Sequence, residues 1–200
     1  MFNTPKAELT ELLISLGEAT IGNDFIKVEN YPFEPSVAFR QSVFRADQIN
    51  DIDFRFCPPT IRINDELIFL SAQMKSELKS FAQRNSIKTV VREPVWEWIL
   101  EPFLDTEFTT ETDQRCTRFL ENCGLTADQV RSLRMEVENQ MLKYNFDTML
   151  WEWCSLGICD VLRAMRTKYN KDEFSDFYKR AMSIAFLTPR VPLHGLSPLS

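Results

Sequence analysis

Residues 170–185, NKDEFSDFYKRAMSIA, carry the strongest periodicity in the chain and mark its second half as helical. Asn170 occupies a natural N-cap position, and Glu173 three residues on completes a capping box. Phe174, Phe177, Tyr178, Ala181, Ile184 and Ala185 then recur at the three- and four-residue spacing that gathers them on one helical face. Upstream the same grammar repeats. Residues 149–165 read as an apolar helical stretch kinked near Gly157, set off by a break around residues 144–147. Before that, Thr126 and Gln129 form a second capping box ahead of an apolar face of Val130, Leu133, Val137 and Met141. Thr110 is the expected cap of a helix striped with Cys116, Phe119, Leu120 and Cys123, which Gly124 ends in the left-handed conformation. Downstream, TPRVPLHGLSPLS (188–200) holds three prolines and a glycine and reads as an irregular tail, tethered through Val191, Leu193 and Leu196.

The first half has a different texture. A helix is expected over residues 4–16, with Thr4 as cap, Pro5 at the first helical position, Leu9, Leu12, Leu13 and Leu16 on one face and Gly17 as its end. From residue 21 to 63 the stretches FIKVEN, SVAFRQSVFR, DFRF and TIRI are short, β-branched and aromatic, and are broken by Pro32, Pro35, Pro58 and Pro59; three or four strands are expected. SVAFRQSVFR suits a sheet only with a slip or bulge, because Val37, Phe39, Gln41 and Val43 alternate with Ala38, Arg40, Ser42 and Phe44. Asn64 and the spacing of Leu67, Leu70, Met74, Leu78 and Phe81 predict a helix over 65–84, and IKTVVR (87–92) predicts a further strand. Pro94 suits the first turn of a short helix through Trp98 and Leu100, which Pro102 bends or stops. The expected fold class is therefore α+β and predominantly helical, with short antiparallel strands in the N-terminal half and a helical bundle in the C-terminal half. A single globular domain is expected over residues 1–187, strand-rich over about 21–92 and helical over about 94–187, followed by the tail 188–200.

Composition narrows the functional classes. The chain has 200 residues, 44% of them hydrophobic and 26% charged, the proportions of an ordinary globular protein. Its formal net charge of −6 is spread evenly, which makes nucleic acid an unlikely partner, although residues 163–190 hold seven basic side chains against three acidic ones. That run is read first as a solvated helical face. The N-terminus lacks the basic lead of a signal peptide, and no stretch approaches the roughly 18 apolar residues of a membrane helix. Five cysteines without a C-x-x-C pair argue against a disulfide framework and a zinc site. A soluble, cytoplasmic protein without membrane insertion is the expectation.

No catalytic constellation is legible. The one histidine, His194, lies in the tail, no Glu-x-x-His motif occurs, and the five isolated glycines form no phosphate-binding loop. No cofactor, metal or catalytic residue is assigned. Two echoing motifs, Trp96-Glu97-Trp98 and Trp151-Glu152-Trp153, set an acid between large apolar groups, where burial would raise its pKa. Glu97 and Glu152 are accordingly candidate ligand-binding residues, together with Arg163 and Arg166 as an anion clamp; the preferred alternative is that both glutamates face water and that Arg163 merely pairs with Asp160. Trp96, Trp98, Trp151 and Trp153 are candidate interaction anchors, and Pro189-x-x-Pro192 a candidate extended ligand. The leading functional reading is a non-enzymatic protein-interaction protein, an adaptor, assembly factor or inhibitor, with self-association an open possibility. The runner-up is an enzyme or small-ligand binder whose helical pocket uses carboxylates and arginines.

Overall fold

The computed structural model describes residues 15–55, 58–104, 108–147 and 155–191. They form two compact units, one drawn from Ile14–Arg92 and one from the chain beyond Glu93. In the first unit β1 (Glu18–Ile21), β2 (Phe25–Glu29) and β3 (Val43–Arg45) make an antiparallel sheet in that order. Ala19 pairs with Val28 and Ile26 with Phe44. Ile26, Val28 and Phe44 are buried, so alternate side chains line the core as a period of two requires. Gly17 enters β1 at φ 79°, where a Cβ would stand 2.2 Å from the Glu29 carbonyl oxygen, an approach that only glycine admits. The helix expected over residues 4–16 lies almost wholly outside the described residues.

Residues 37–40 depart from the expected strand. They form α1 (Val37–Arg40), a single helical turn. The Ser36 hydroxyl oxygen accepts from the Ala38 N–H at 3.1 Å, and the Glu66 carboxylate accepts from the Val37 N–H at 2.9 Å and the Ser36 hydroxyl at 3.0 Å. Two donors at the start of the turn thus gain partners, one from a distant strand, and this outweighs the β preference of Val37 and Phe39. The strand begins only at Val43. Its outer edge is closed locally, because the Gln41 amide donates to the Val43 carbonyl and the Arg45 N–H donates to the Gln48 side chain, both at 2.8 Å.

A second sheet runs β6 (Glu66–Phe69), β5 (Thr60–Ile63), β4 (Asp51–Asp53), β7 (Thr89–Val90), antiparallel except that β7 lies parallel to β4. β6 replaces the first part of the helix expected over 65–84. Asn64 adopts φ 52° and closes a tight turn in which Ile63 pairs with Glu66. Leu67, Ile68, Phe69 and Leu70 are all buried, so the run is apolar on both faces and its spacing resembles a helix without being one. The helix, α2 (Lys75–Arg84), starts ten residues later and buries Leu78, Phe81 and Ala82. The Tyr31 hydroxyl accepts from the Phe69 N–H at 3.1 Å on β6. On β4, buried Asp51 takes Arg62 Nε at 2.7 Å and pairs with Arg92, while Asp53 accepts from the N–H groups of Arg55 and Arg92 at 2.8 Å. These buried carboxylates pin the segment after β7 to β4.

The second unit is a helical bundle: α3 (Val95–Leu100), α4 (Thr110–Asn122), α5 (Ala127–Asp147), α6 (Ile158–Arg166) and α7 (Lys171–Ala185). Short α3 touches α4, α5 and α7 and lies at the middle of the packing. Pro94 precedes it as N-cap, and Pro102 sits in the tight turn that follows, where the helix ends. Thr109, one residue before the expected Thr110, caps α4, its hydroxyl accepting from the Thr112 N–H at 3.1 Å. Gly124 at φ 97° closes α4 with the paired bonds Gly124 N–H to Glu121 and Leu125 N–H to Leu120. Thr126 and Gln129 exchange both capping-box bonds, as do Asn170 and Glu173. Gly157 does not kink a helix; it stands extended at the N-cap of α6, where the Asp160 side chain accepts from its N–H at 2.9 Å, and the earlier part of the expected 149–165 helix lies largely outside the described residues. The Glu136 carboxylate on α5 takes Arg180 of α7 through both oxygens, at 2.7 and 3.0 Å, and the Tyr169 hydroxyl at 2.7 Å. Among the described residues no helix is long and apolar enough to cross a membrane.

Candidate functional site: a groove between α4 and α5

The Schellman turn at Gly124 folds α5 back beside α4, and the turn after α3 contributes Pro102 and Phe103 to the gap between them. The result is an open groove of about 800 Å³. Pro102, Phe103, Phe108, Val130 and Met135 supply its apolar surface, while Asp113, Arg118, Arg131, Arg134 and Glu138 supply its charge. Arg134 is built into the wall, donating to the Ile99 carbonyl at 3.1 Å and to Asp113 at 2.8 Å. Its guanidinium also lies 5.7 Å from the Phe108 ring centre. Among the described residues Arg131 pairs only with neighbouring Asp128 in a solvent-exposed contact, and Arg118 donates only to the Gln114 carbonyl. Met135 is 68% exposed, although thioethers are ordinarily buried.

Behind the groove lies Glu101, 9% exposed in the turn after α3. Burial pushes its carboxyl above the usual range, opposed by the positive charges of Arg115 and Arg134. Burial likewise pushes the Cys116 thiol up to about 11, Glu101 adding to the shift, and the Cys123 thiol up to about 11. Both sulfurs therefore stay protonated and behave as small apolar groups.

The residues singled out by motif lie elsewhere. Trp96 and Trp98 are each 2% exposed on opposite sides of α3, with Glu97 half-buried between them. Trp96 donates to the Ala181 carbonyl at 2.9 Å, and Trp98 stacks on Phe119 at 4.5 Å, so both rings belong to the core and present no surface to a partner. Trp151, Glu152, Trp153 and Pro192 lie outside the described residues. Arg163 sits 4.0 Å from Asp160 on α6, with half-buried Arg166 in the last turn of that helix. Two further basic residues of the 163–190 run are held internally, Lys168 by the Glu136 carbonyl and Arg180 by the Glu136 carboxylate. Pro189 is half-buried. The tail is held at its start by Asn122, which exchanges both side-chain bonds with the backbone of Val191, whose own side chain is 61% exposed. Val191 thus ties the tail through its backbone and not its side chain, and Leu193 and Leu196, the other expected tethers, lie outside the described residues.

No motif pointed to the groove. The legible sign was Met135, an apolar residue set off the Val130–Leu133–Val137–Met141 face of its helix. Comparison with protein-family models, curated proteins and solved structures finds no match to this chain.

Proposed function

We propose that the protein is a protein-interaction protein that receives a segment of another polypeptide in the α4–α5 groove. The observation that carries this reading is the groove itself, an open cleft whose lining mixes apolar Phe103, Phe108, Val130 and exposed Met135 with charged Arg118, Arg131 and Glu138. Deep, enclosed, mostly apolar sites suit small ligands; open grooves between helices suit amphipathic segments laid along them. Met is favoured at such surfaces because its unbranched thioether adapts to differing partners. The alternative, a small-ligand or enzymatic pocket, draws on buried Glu101, whose raised carboxyl pKa is of the kind found at functional sites. Neither Glu97, Arg163 nor Arg166 lines the groove.

Native mass spectrometry of protein purified from its own host, beside a Met135→Glu variant, decides between the two. A co-purifying polypeptide present with the wild type and lost in the variant supports the interaction reading. A small bound mass released on denaturation and retained by the variant overturns it.

A further inference from the structure

One face of α5 carries a stripe of exposed residues at helical spacing, Asp128, Arg131, Ser132, Met135, Glu138 and Asn139, of which Arg131, Met135 and Glu138 line the groove. Among the described residues Glu138 has no hydrogen-bond or ion-pair partner, and Arg131 has only its exposed contact with Asp128 three residues away. A cation and a carboxylate therefore stand seven residues, or about 10 Å, apart on one helical face with an exposed methionine between them. That pattern is its own complement when reversed. If two copies of α5 run antiparallel about a two-fold axis passing between residues 134 and 135, residue 131 of each copy falls opposite residue 138 of the other. Both ion pairs form at once, and the two Met135 side chains meet near the axis.

We infer that the occupant of the groove face is a second copy of this chain, docked through antiparallel α5 helices with Arg131 of each copy paired to Glu138 of the other. The inference rests on the interaction reading of the groove and names its partner. Charge complementarity selects this occupant, because the same two side chains satisfy each other twice. A two-fold arrangement also closes, producing dimers instead of open chains.

Sedimentation velocity from low micromolar protein to the limit of solubility tests the inference. The expected result is a mass rising from 23.4 kDa towards twice that value. Arg131→Glu and Glu138→Arg alone each place like charges opposite one another twice and weaken the dimer about tenfold, whereas the double reversal restores it to within about threefold of the wild type. Both positions are exposed, and unchanged circular dichroism of the three variants verifies that the fold is kept. A wild-type protein that stays monomeric throughout overturns the inference, as does a double variant no stronger than the singles. If the purified chain is monomeric while a different polypeptide still co-purifies in a Met135-dependent way, the second-copy assignment fails and the groove reading stands.

Discussion

Changing Glu136 to Gln removes the charge on which Arg180 and Tyr169 converge, keeping the shape and one acceptor oxygen. Hydrogen bonds to a charged group contribute about 1.5–3 kcal/mol when shielded, but exposed ion pairs contribute only about 0–1 kcal/mol. Arg180 is 52% exposed and Glu136 22%, so the pair belongs nearer the lower figure. The Tyr169 hydroxyl keeps an acceptor in the variant but a neutral one, a weakening of less than about 1 kcal/mol, so the expected loss is about 1 kcal/mol at neutral pH. The sign with pH follows from the hydrogen bonds of Arg180, which hold the Glu136 carboxyl below its ordinary value against the opposing effect of burial. A carboxyl lowered in the folded state stabilises the fold above its unfolded pKa, and that contribution is lost as pH falls through the folded value. The gap between wild type and variant therefore closes on acidification below about pH 4. All four tryptophans fall between residues 96 and 153, so urea unfolding followed by tryptophan fluorescence reports on the helical half of the chain. Arg180→Met and the double variant complete a cycle whose coupling isolates the pair. A variant as stable as the wild type at pH 7, or a gap that persists unchanged into acid, refutes the reasoning.

Glu101→Gln acts in the opposite direction. Burial raises this carboxyl, so its charge burdens the fold increasingly as pH rises from the unfolded value through the folded one; the variant melts higher than the wild type at pH 7, and the advantage vanishes near pH 4, as differential scanning calorimetry at the two pH values checks. Gly124→Ala forces a side chain to φ 97° beside the Arg190 guanidinium, and chemical denaturation shows a loss of about 1–2 kcal/mol. Cys116 and Cys123, with thiols at about 11, resist iodoacetamide at pH 8 in the folded protein and are alkylated once urea unfolds it, as read by peptide mass spectrometry.

The helical half was legible wherever a local rule decided the outcome. Both capping boxes and the Gly124 stop depend on residues within a few positions of one another, and the sequence displays them complete. The N-terminal half misled where distant residues decide. SVAFR becomes a helical turn because Glu66, on another strand, accepts from the Val37 N–H and the Ser36 hydroxyl. The LIFL run is a strand because both its faces are covered, which a spacing argument cannot distinguish from a buried helix. The candidate site was missed for a related reason. Attention falls on tryptophans because they are rare and large, yet Trp96 and Trp98 are drawn into the core by Ala181 and Phe119. The groove arises from the packing of α4, α5 and the turn after α3, which no local rule foretells, and only Met135 hinted at it.

The side-chain hooks on β3 and β6 bear on how this protein behaves in crowded or stressed solutions. An open sheet border is a template onto which any extended chain can zip, and it seeds fibrils as readily as it recruits partners. On β3 the Val43 carbonyl is engaged by Gln41 and the Arg45 N–H by Gln48, while the Tyr31 hydroxyl takes the Phe69 N–H on β6. A strand arriving at β3 must first displace bonds made within two or three residues, and one arriving at β6 must displace a buried bond from Tyr31, 38 residues away. Three uncharged polar side chains thus serve as guards against templated growth, in a unit whose strands are otherwise short and rich in the β-branched and aromatic residues that such growth favours.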